Sequence, residues 1–352
     1  MNETPRRPRN ARKGARFPSA GIRCALLLLA ALLLLSACAS SPDKPRELEA
    51  LREWLLRKAK QKFQHALRIT ERHAPDPFNQ ARQHLLFTLI ALKEYREAEE
   101  VGRKFIEQKT AYLEAARTRL AELELDWKKA LAGDETFKGS RREKNMVSLQ
   151  KEWKSRIQRA ENQIVSLSLL LGDVLLRRDE KAEAISVFKQ ALAVAPDHNT
   201  ALRRIGQAYA LLGDHAVAAN YMTKAFLGLQ QRLETVRSET PSAGEEASAK
   251  QASRVPALER GAVEIAGVTA LLHVLAGDAD TARTWFNHAG SFDPTSPYVD
   301  LKIAVKFIRD GKLRPAAEHI SAFLDTLPEG DGLVRTLVNR LLKQVFVRDE
   351  EG

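Results

Sequence analysis

Cysteine is almost absent from this 352-residue chain, and both cysteines lie within the first 38 residues. The remainder therefore has no disulfide framework, no thiol nucleophile and no zinc–thiolate site. Aromatic residues are also scarce, at 6%. Abundant alanine, leucine, glutamate, lysine and arginine favour helix over sheet. The composition predicts an all-α protein.

Catalytic signatures are missing as well. The sequence has no phosphate-binding G-x-x-x-x-G-K, no zinc-binding H-E-x-x-H and no nucleophile motif G-x-S-x-G. No two of its eight histidines have the i, i+4 spacing that directs two imidazoles at one metal. Asp278 and Asp280 could serve acid–base chemistry, but their place between two predicted helices favours helix capping. We therefore expect no catalytic residue, metal, cofactor or small-molecule substrate, and a protein that is not an enzyme.

The chain also lacks an excess of acidic residues and is basic, with a formal net charge of +11. Residues 1–37 contain seven basic side chains and one acid, which leaves +5 for the rest of the chain. There the two signs alternate along predicted helices, as on a solvated surface. The charge pattern does not predict nucleic-acid binding.

No long hydrophobic span follows the basic leader. The apolar run from Cys24 to Leu35 has twelve residues, well short of the roughly 20 that cross a bilayer as a helix. It follows a basic, proline-rich segment and precedes two small residues. This order is typical of a secretory signal and predicts a signal peptide over residues 1–37.

The signal ends in Leu35-Ser36-Ala37-Cys38, which resembles the lipobox of bacterial lipoproteins. The resemblance implies cleavage before Cys38, a diacylglyceryl group on its thiol and a fatty acyl chain such as palmitate on its new amino terminus. Two or more chains hold a protein stably at a membrane. Ala39 replaces the aspartate typical of inner-membrane retention. For a Gram-negative source we expect the periplasmic face of the outer membrane; the alternative is an ordinary signal peptide with an incidental cysteine.

A period of 34 residues marks the middle of the chain. Three small residues recur at this spacing: Gly172, Ala184 and Ala191 reappear as Gly206, Ala218 and Ala225. Together with Phe188 and Pro196, the pattern resembles the tetratricopeptide repeat (TPR), a hairpin of two helices. Small residues are expected where the helices approach most closely, and Phe188 would fill the wedge between hairpins. The resemblance implies two TPR repeats over residues 165–232.

The period resumes after a polar interruption. Residues 238–256 are rich in Ser, Ala, Glu and Pro without an apolar period, which predicts a disordered loop. Ala282, Phe286 and Ala289 then match the motif, and a looser match follows, which gives two further TPR-like repeats over 263–330. An amphipathic helix at 333–347 is expected to cap the stack. The predicted fold is an all-α, TPR-type helical-hairpin solenoid.

Three segments precede the repeats. Residues 38–45 form a polar tether, and residues 46–104 are predicted to be N-terminal helices that form a degenerate, TPR-like hairpin. Apolar stripes over residues 105–171 predict a long antiparallel, coiled-coil-like helical hairpin, interrupted by a polar tip at 133–144. Its basic side chains, Lys138, Arg141, Arg142 and Lys144, could touch an anionic partner or face solvent.

The TPR resemblance implies a concave groove lined by the first helix of each hairpin, where protein segments bind. In this register the candidate groove residues are Arg177, Arg203, Gln207, Tyr298 and Arg309. The Lys and Asn clamp with which some family members hold a C-terminal carboxylate is not matched. Arg203 and Gln207 could instead hold an acidic or backbone group, the alternative being two solvent-exposed polar residues.

These features predict a lipid-anchored scaffold or adaptor that binds other proteins during assembly of a cell-envelope complex such as pilus, secretion or outer-membrane machinery. The expected partners are envelope proteins and, through lipidated Cys38, the membrane. Two alternatives remain at this point. One is a cell-wall-associated enzyme or enzyme-regulating subunit, and the other is a structural spacer that acts through its coiled-coil hairpin.

Overall fold

The computed structural model describes residues 45–73, 80–133, 136–238, 245–327 and 332–351. The signal peptide, Cys38 and most of the tether lie outside these ranges. The described chain consists of twelve α-helices and no strand, so the predicted all-α class is confirmed. The helices are α1 (Pro45–His73), α2 (Gln80–Ala91), α3 (Tyr95–Gly133), α4 (Arg141–Arg177), α5 (Lys181–Val194), α6 (Asn199–Leu212), α7 (His215–Ser238), α8 (Glu245–Leu275), α9 (Ala279–Phe292), α10 (Tyr298–Arg309), α11 (Leu313–Thr326) and α12 (Gly332–Glu351). None of these helices has the length and apolar character needed to cross a bilayer.

The chain divides into two compact units, residues 1–101 and 102–352. In the first unit, α1 and α2 pack through an apolar contact that includes Phe63, whose ring stacks on His84 with 5.4 Å between centroids. Burial lowers the pKa of His84. Lys60 Nζ lies 2.6 Å from a carboxylate oxygen of Glu94 and 2.8 Å from one of Glu97, so this unit carries a local ion-pair cluster.

The second unit begins with the long hairpin of α3 and α4. Arg117 pairs with Glu161 at 2.7 Å, and Lys154 pairs with Glu124 at 3.3 Å. Each pair joins residues equally far before and after Gly139, which shows that the helices are antiparallel as predicted. Leu113 packs between Ala160 and Ile164 at the base. Towards the tip, apolar side chains are less buried, as Leu149 of α4 shows with 43% exposure.

The tip of this hairpin is held by helix capping. The Ser140 hydroxyl accepts a hydrogen bond from the Glu143 backbone N–H at 3.1 Å. The Glu143 carboxylate in turn accepts from the Gly139 N–H at 2.6 Å. The first bond satisfies a donor that the first turn of a helix leaves free, and the second ties the residue before the N-cap to that turn. Gly139 has φ +81°, a left-handed conformation that glycine adopts at no steric cost.

The 34-residue period reappears as helix spacing. Lys181 and His215 begin α5 and α7, and Ala279 and Leu313 begin α9 and α11, in each case 34 residues apart. Equivalent alanines in these four helices are fully buried: Ala184, Ala218, Ala282 and Ala316. Each marks the contact between the two helices of its hairpin, so small side chains permit close packing there. The predicted stack of helical hairpins is confirmed.

Residues 245–256 differ from the prediction, whereas residues 239–244 of the same segment lie outside the described ranges. A disordered loop was expected, but α8 begins at Glu245 and continues unbroken past Pro256 to Leu275. Arg237 of α7 pairs with Glu259 of α8 at 2.6 Å, and Leu233 is buried between the helices. The low hydrophobicity was misleading because Glu, Ala, Lys and Gln are strong helix formers. The helix extends an already packed hairpin, so it needs little apolar surface of its own.

Candidate protein-binding site

Of the predicted groove residues in the first two repeats, Arg203 and Gln207 are half-buried. Arg203 Nη1 of α6 lies 3.4 Å from Glu264 Oε2 of α8. Gln207 accepts a hydrogen bond from Arg204 at 3.1 Å. The structure thus brings Arg203 and Gln207 to one face of α6, where neighbouring side chains already engage them. Arg177, at the end of α4, is exposed.

Asp173 is a half-buried carboxylate on this face. Burial raises its pKa, and the positive charges of Arg204 and Arg177 counteract that shift. The Arg204 guanidinium lies 3.1 Å from its carboxylate. The raised pKa indicates that desolvation outweighs the two attractions. Asp173 therefore belongs to the packing between α4 and α6, and its carboxylate has a partner within the chain.

Tyr298 does not line a groove, contrary to the prediction. Its side chain is only 8% exposed and packs beside Phe323, with 5.3 Å between ring centroids. The ring fills space left by Gly267, where an added Cβ would lie 2.4 Å from the ring. The repeat register placed Tyr298 on the inner face of α10, but Gly267 leaves a hollow on α8 that draws the ring inward.

The C-terminal helix lies against the inner face of α6 and α8. Apolar residues of α12 enter the main core with α6 and α8: Val334, Leu337, Val338, Leu341 and Val345. Leu333 and Val334 lie beside Arg203, Gln207 and Glu264 around a cavity of only about 20 Å³. A terminal cap was predicted here, and α12 does contact α11, the last helix of the repeats. It also returns along α8 and α6, so it covers that part of the predicted groove.

Arg340 fixes α12 to α6. Its guanidinium donates hydrogen bonds to the backbone carbonyls of Ala210 and Leu211 at 2.8 and 3.1 Å. These carbonyls belong to the last turn of α6, where helix carbonyls lack an i+4 donor. The Gly213 N–H also donates to the Ala210 carbonyl, at 3.2 Å. A cation is also favoured at the negative end of the helix dipole. The residues involved are about 130 positions apart in the sequence, so no local pattern could have indicated this contact.

A second concave surface lies between α9 and α10 and holds a pocket of about 390 Å³. Its base contains buried Phe286 and Val305, and its wall contains Val299 and Ile303, which are 37% and 36% exposed. Arg309, predicted as a groove residue, lines this pocket instead. We call this surface the α9/α10 groove. Sequence reasoning missed it, although Lys302, Lys306 and Arg309 at i, i+4 and i+7 mark one basic helix face.

A third hollow, of about 660 Å³, lies between α3, α4 and α5. Apolar Ile106, Ile164 and Leu171 contribute to its walls, with charges of both signs at its rim. Arg103 there is already paired with Glu183 at 2.7 Å. Its lining carries one basic and two acidic side chains, Arg103, Glu107 and Glu114, so it does not present charge of a single sign as the α9/α10 groove does.

Histidines make the stack sensitive to acid. His198 Nδ1 caps α6 by accepting from the Ala201 N–H at 3.3 Å, which requires an unprotonated nitrogen. Burial lowers the pKa of His198 below 6.5, and the Arg232 charge adds to the shift. Burial likewise lowers the pKa of His215 and His273. The neutral forms are therefore favoured in the folded state.

We expect the free energy of unfolding to decrease on acidification. For a base with a lowered folded-state pKa, the stabilisation is complete above the unfolded-state pKa of 6.5 and is lost as pH falls through the folded-state value. Urea unfolding at about pH 7.5 and about pH 5.5 measures the loss. His198→Asn keeps a capping oxygen without a titrating group, so this variant should lose less free energy of unfolding on acidification than the wild type. Equal losses in the two proteins would contradict this role for His198.

Comparison with known proteins agrees with this geometry. Residues 165–198, which comprise the end of α4 and all of α5, match the family model of the tetratricopeptide repeat. A comparison with curated proteins gives no match. Among solved structures, the chain is similar to the assembly chaperone of RpL4, at 15% identity over 66% of this chain and 86% of that one, with a TM-score of 0.36. It is also similar to a TPR protein of Thermus thermophilus, at 17% identity over 51% and 99%, with a TM-score of 0.26, and to yeast Tom70, at 12% identity over 88% and 62%, with a TM-score of 0.24.

Proposed function

We propose that this protein is a lipid-anchored TPR scaffold that holds other proteins together during assembly of a bacterial cell-envelope complex. The observation that carries the binding role is the stack of helical hairpins with a matched TPR at residues 165–198. Such stacks present extended surfaces built from successive repeats. Proteins of this fold are generally scaffolds and adaptors that bind protein partners.

The envelope context is proposed from the leader. Leu35-Ser36-Ala37-Cys38 follows an apolar run too short to span a bilayer as a helix. A lipid on Cys38 would place the scaffold at the outer membrane, facing the periplasm. There the absence of cysteine beyond Cys38 means that the mature chain folds without disulfides.

The described packing also supports a capping role over acid–base chemistry for Asp278, one of the two candidate aspartates. Asp278 Oδ1 accepts a hydrogen bond from the Thr281 N–H at 3.0 Å and caps α9. A hydrogen bond with the Thr281 side chain, followed by this backbone bond, lowers the pKa of Asp278. A carboxylate that stays ionised at the start of a helix stabilises that helix by capping it, which is the role predicted for Asp278 from its position between two helices.

Fractionation of cells that express the full chain or its Cys38→Ser variant tests the anchor. We expect the wild-type protein in the membrane fraction, and the variant unprocessed or released, because the serine hydroxyl cannot form the thioether to lipid. In the same cells, in vivo crosslinking and mass spectrometry should join the wild-type chain to envelope proteins. Unchanged processing and membrane retention of the variant would contradict lipidation, and a wild-type chain with no protein crosslink would contradict the scaffold.

A further inference from the structure

The α9/α10 groove is lined by charges of one sign. All four ionisable side chains that reach it are basic: Arg283, Lys302, Lys306 and Arg309. Arg309 Nε lies 3.6 Å from Asp310 at the end of α10. Within the ranges that the structure describes, the other three have no ion pair. Positive charges clustered around a concavity raise its local potential and attract anionic groups.

The groove also offers apolar contact. Val299 and Ile303 are β-branched and over a third exposed, and they lie on the same face of α10 as the lysines. Beneath them, Phe286 and Val305 form a buried base. Isolated exposed apolar residues are ordinary on protein surfaces, but here they line a hollow that basic side chains surround. Such a surface suits a ligand with both acidic and apolar groups.

We propose that the α9/α10 groove binds an acidic, amphipathic segment of a partner protein. Carboxylates of the segment pair with Lys302, Lys306 and Arg283, and its apolar side chains cover Val299 and Ile303. The proposal rests on the proposed scaffold function and names the chemistry of one partner. Charge complementarity carries it, because an acidic segment matches the groove whereas a basic or neutral one leaves its charges unpaired.

The spacing of the basic residues limits where acidic residues can occur in the partner segment. Lys302, Lys306 and Arg309 span seven residues of α10, or about 10 Å at the helical rise. A helical segment matches this span with acids at i, i+4 and i+7. An extended segment matches it with its outermost acids about three residues apart. A flat membrane surface presents no side chain to enter the hollow, so anionic lipid fits the groove less well.

The groove is accessible while the inner face is not. α12 covers the inner face of α6 and α8 through Leu337 and Arg340. The basic side chains of α9 and α10 that surround the groove remain exposed. A partner can therefore dock without displacing α12. This separates the proposed site from the inner groove that the TPR resemblance implied.

Fluorescence anisotropy with the purified full chain in mild detergent tests the inference. The probe is a labelled peptide with glutamates at helical i, i+4 and i+7 positions and leucines between them, and the control peptide carries lysine at each glutamate. We expect only the acidic peptide to bind, and to bind more weakly as salt rises, since the Debye length is about 10 Å at about 0.1 M. Equal binding of both peptides, or none by the acidic one, would overturn the proposal.

Charge-reversal variants locate the binding. Lys302→Glu with Lys306→Glu should weaken peptide binding by about tenfold or more, because two attractions become repulsions. Lys128→Glu with Lys151→Glu makes the same charge change on exposed residues of α3 and α4 and should weaken binding less than about twofold. Equal weakening by both pairs, or displacement of the peptide by micelles doped with phosphatidylglycerol but not phosphatidylcholine, would overturn the assignment to an acidic protein segment.

The crosslinking experiment separates this inference from the proposed function. If the Lys302→Glu, Lys306→Glu variant retains every envelope-protein crosslink of the wild type, the groove assignment is wrong and the scaffold function stands. If the wild-type chain crosslinks to no protein, the scaffold function itself is wrong. Selective loss of one crosslinked partner that contains an acidic segment supports both the scaffold function and the groove assignment.

Discussion

Replacing Gly172 by alanine is expected to lower the free energy of unfolding by about 3 kcal/mol, because overpacking a rigid core is costly. An added Cβ at this position would lie 2.1 Å from Cε1 of Phe188. The Phe188 ring is fully buried between α4 and α5 and cannot rotate into solvent. The two helices must therefore separate, which removes contacts along the first TPR hairpin.

Gly290→Ala provides the matched control. Gly290 also lies within a helix, α9, but nothing lies within 4 Å of an added Cβ. There the substitution should stabilise the protein by roughly 0.5–1 kcal/mol, since alanine restricts the unfolded chain. Urea unfolding followed by circular dichroism measures both variants. Phe188→Leu added to Gly172→Ala should recover part of the loss, and equal stability of the two alanine variants would rule out close packing at Gly172.

Truncating Leu337 to alanine is expected to lower the free energy of unfolding by about 2–5 kcal/mol, the range for a large-to-small change in a core. Leu337 is fully buried where α12 enters the core of α6 and α8. The cavity removes the contacts that hold α12 against the inner face. Hydrogen exchange should therefore accelerate in α12 and around Ala210 and Leu211, the acceptors of Arg340.

Asn339→Ala is the control on the same helix. Asn339 is exposed, although it lies only two residues from Leu337. Its replacement should change stability by less than about 0.5 kcal/mol, as is usual for surface positions. If both variants unfold at the same denaturant concentration and exchange at the same rate, α12 does not hold the inner face through Leu337.

The repeat itself could be predicted from sequence because its contacts are local. Gly172 and Phe188 are only sixteen positions apart, and their pairing belongs to a hairpin that recurs at a fixed period. The buried alanines of α5, α7, α9 and α11 follow the same rule. Steric limits at each close helix approach select small residues, so the spacing is directly readable.

The basic face of α10 was also readable in principle. Lys302, Lys306 and Arg309 follow helical spacing, but one amphipathic helix does not reveal what packs beside it. Arg283 reaches the same hollow from α9, and only the packing of α9 against α10 shows that the four basic side chains line one groove. Tyr298 was misplaced for the same reason, because the hollow at Gly267 is a property of two packed helices.

The sequence by itself determined the helical class, the hairpin period and the residues that set each hairpin's spacing. It did so because those contacts join residues less than one repeat apart. Tertiary structure alone decided the position of α12, the extension of α7 and α8 into one packed pair, and the α9/α10 groove. Arg340 meets Ala210 across 130 residues of chain, and such a contact depends on the accumulated geometry of the stack, which no local periodicity encodes.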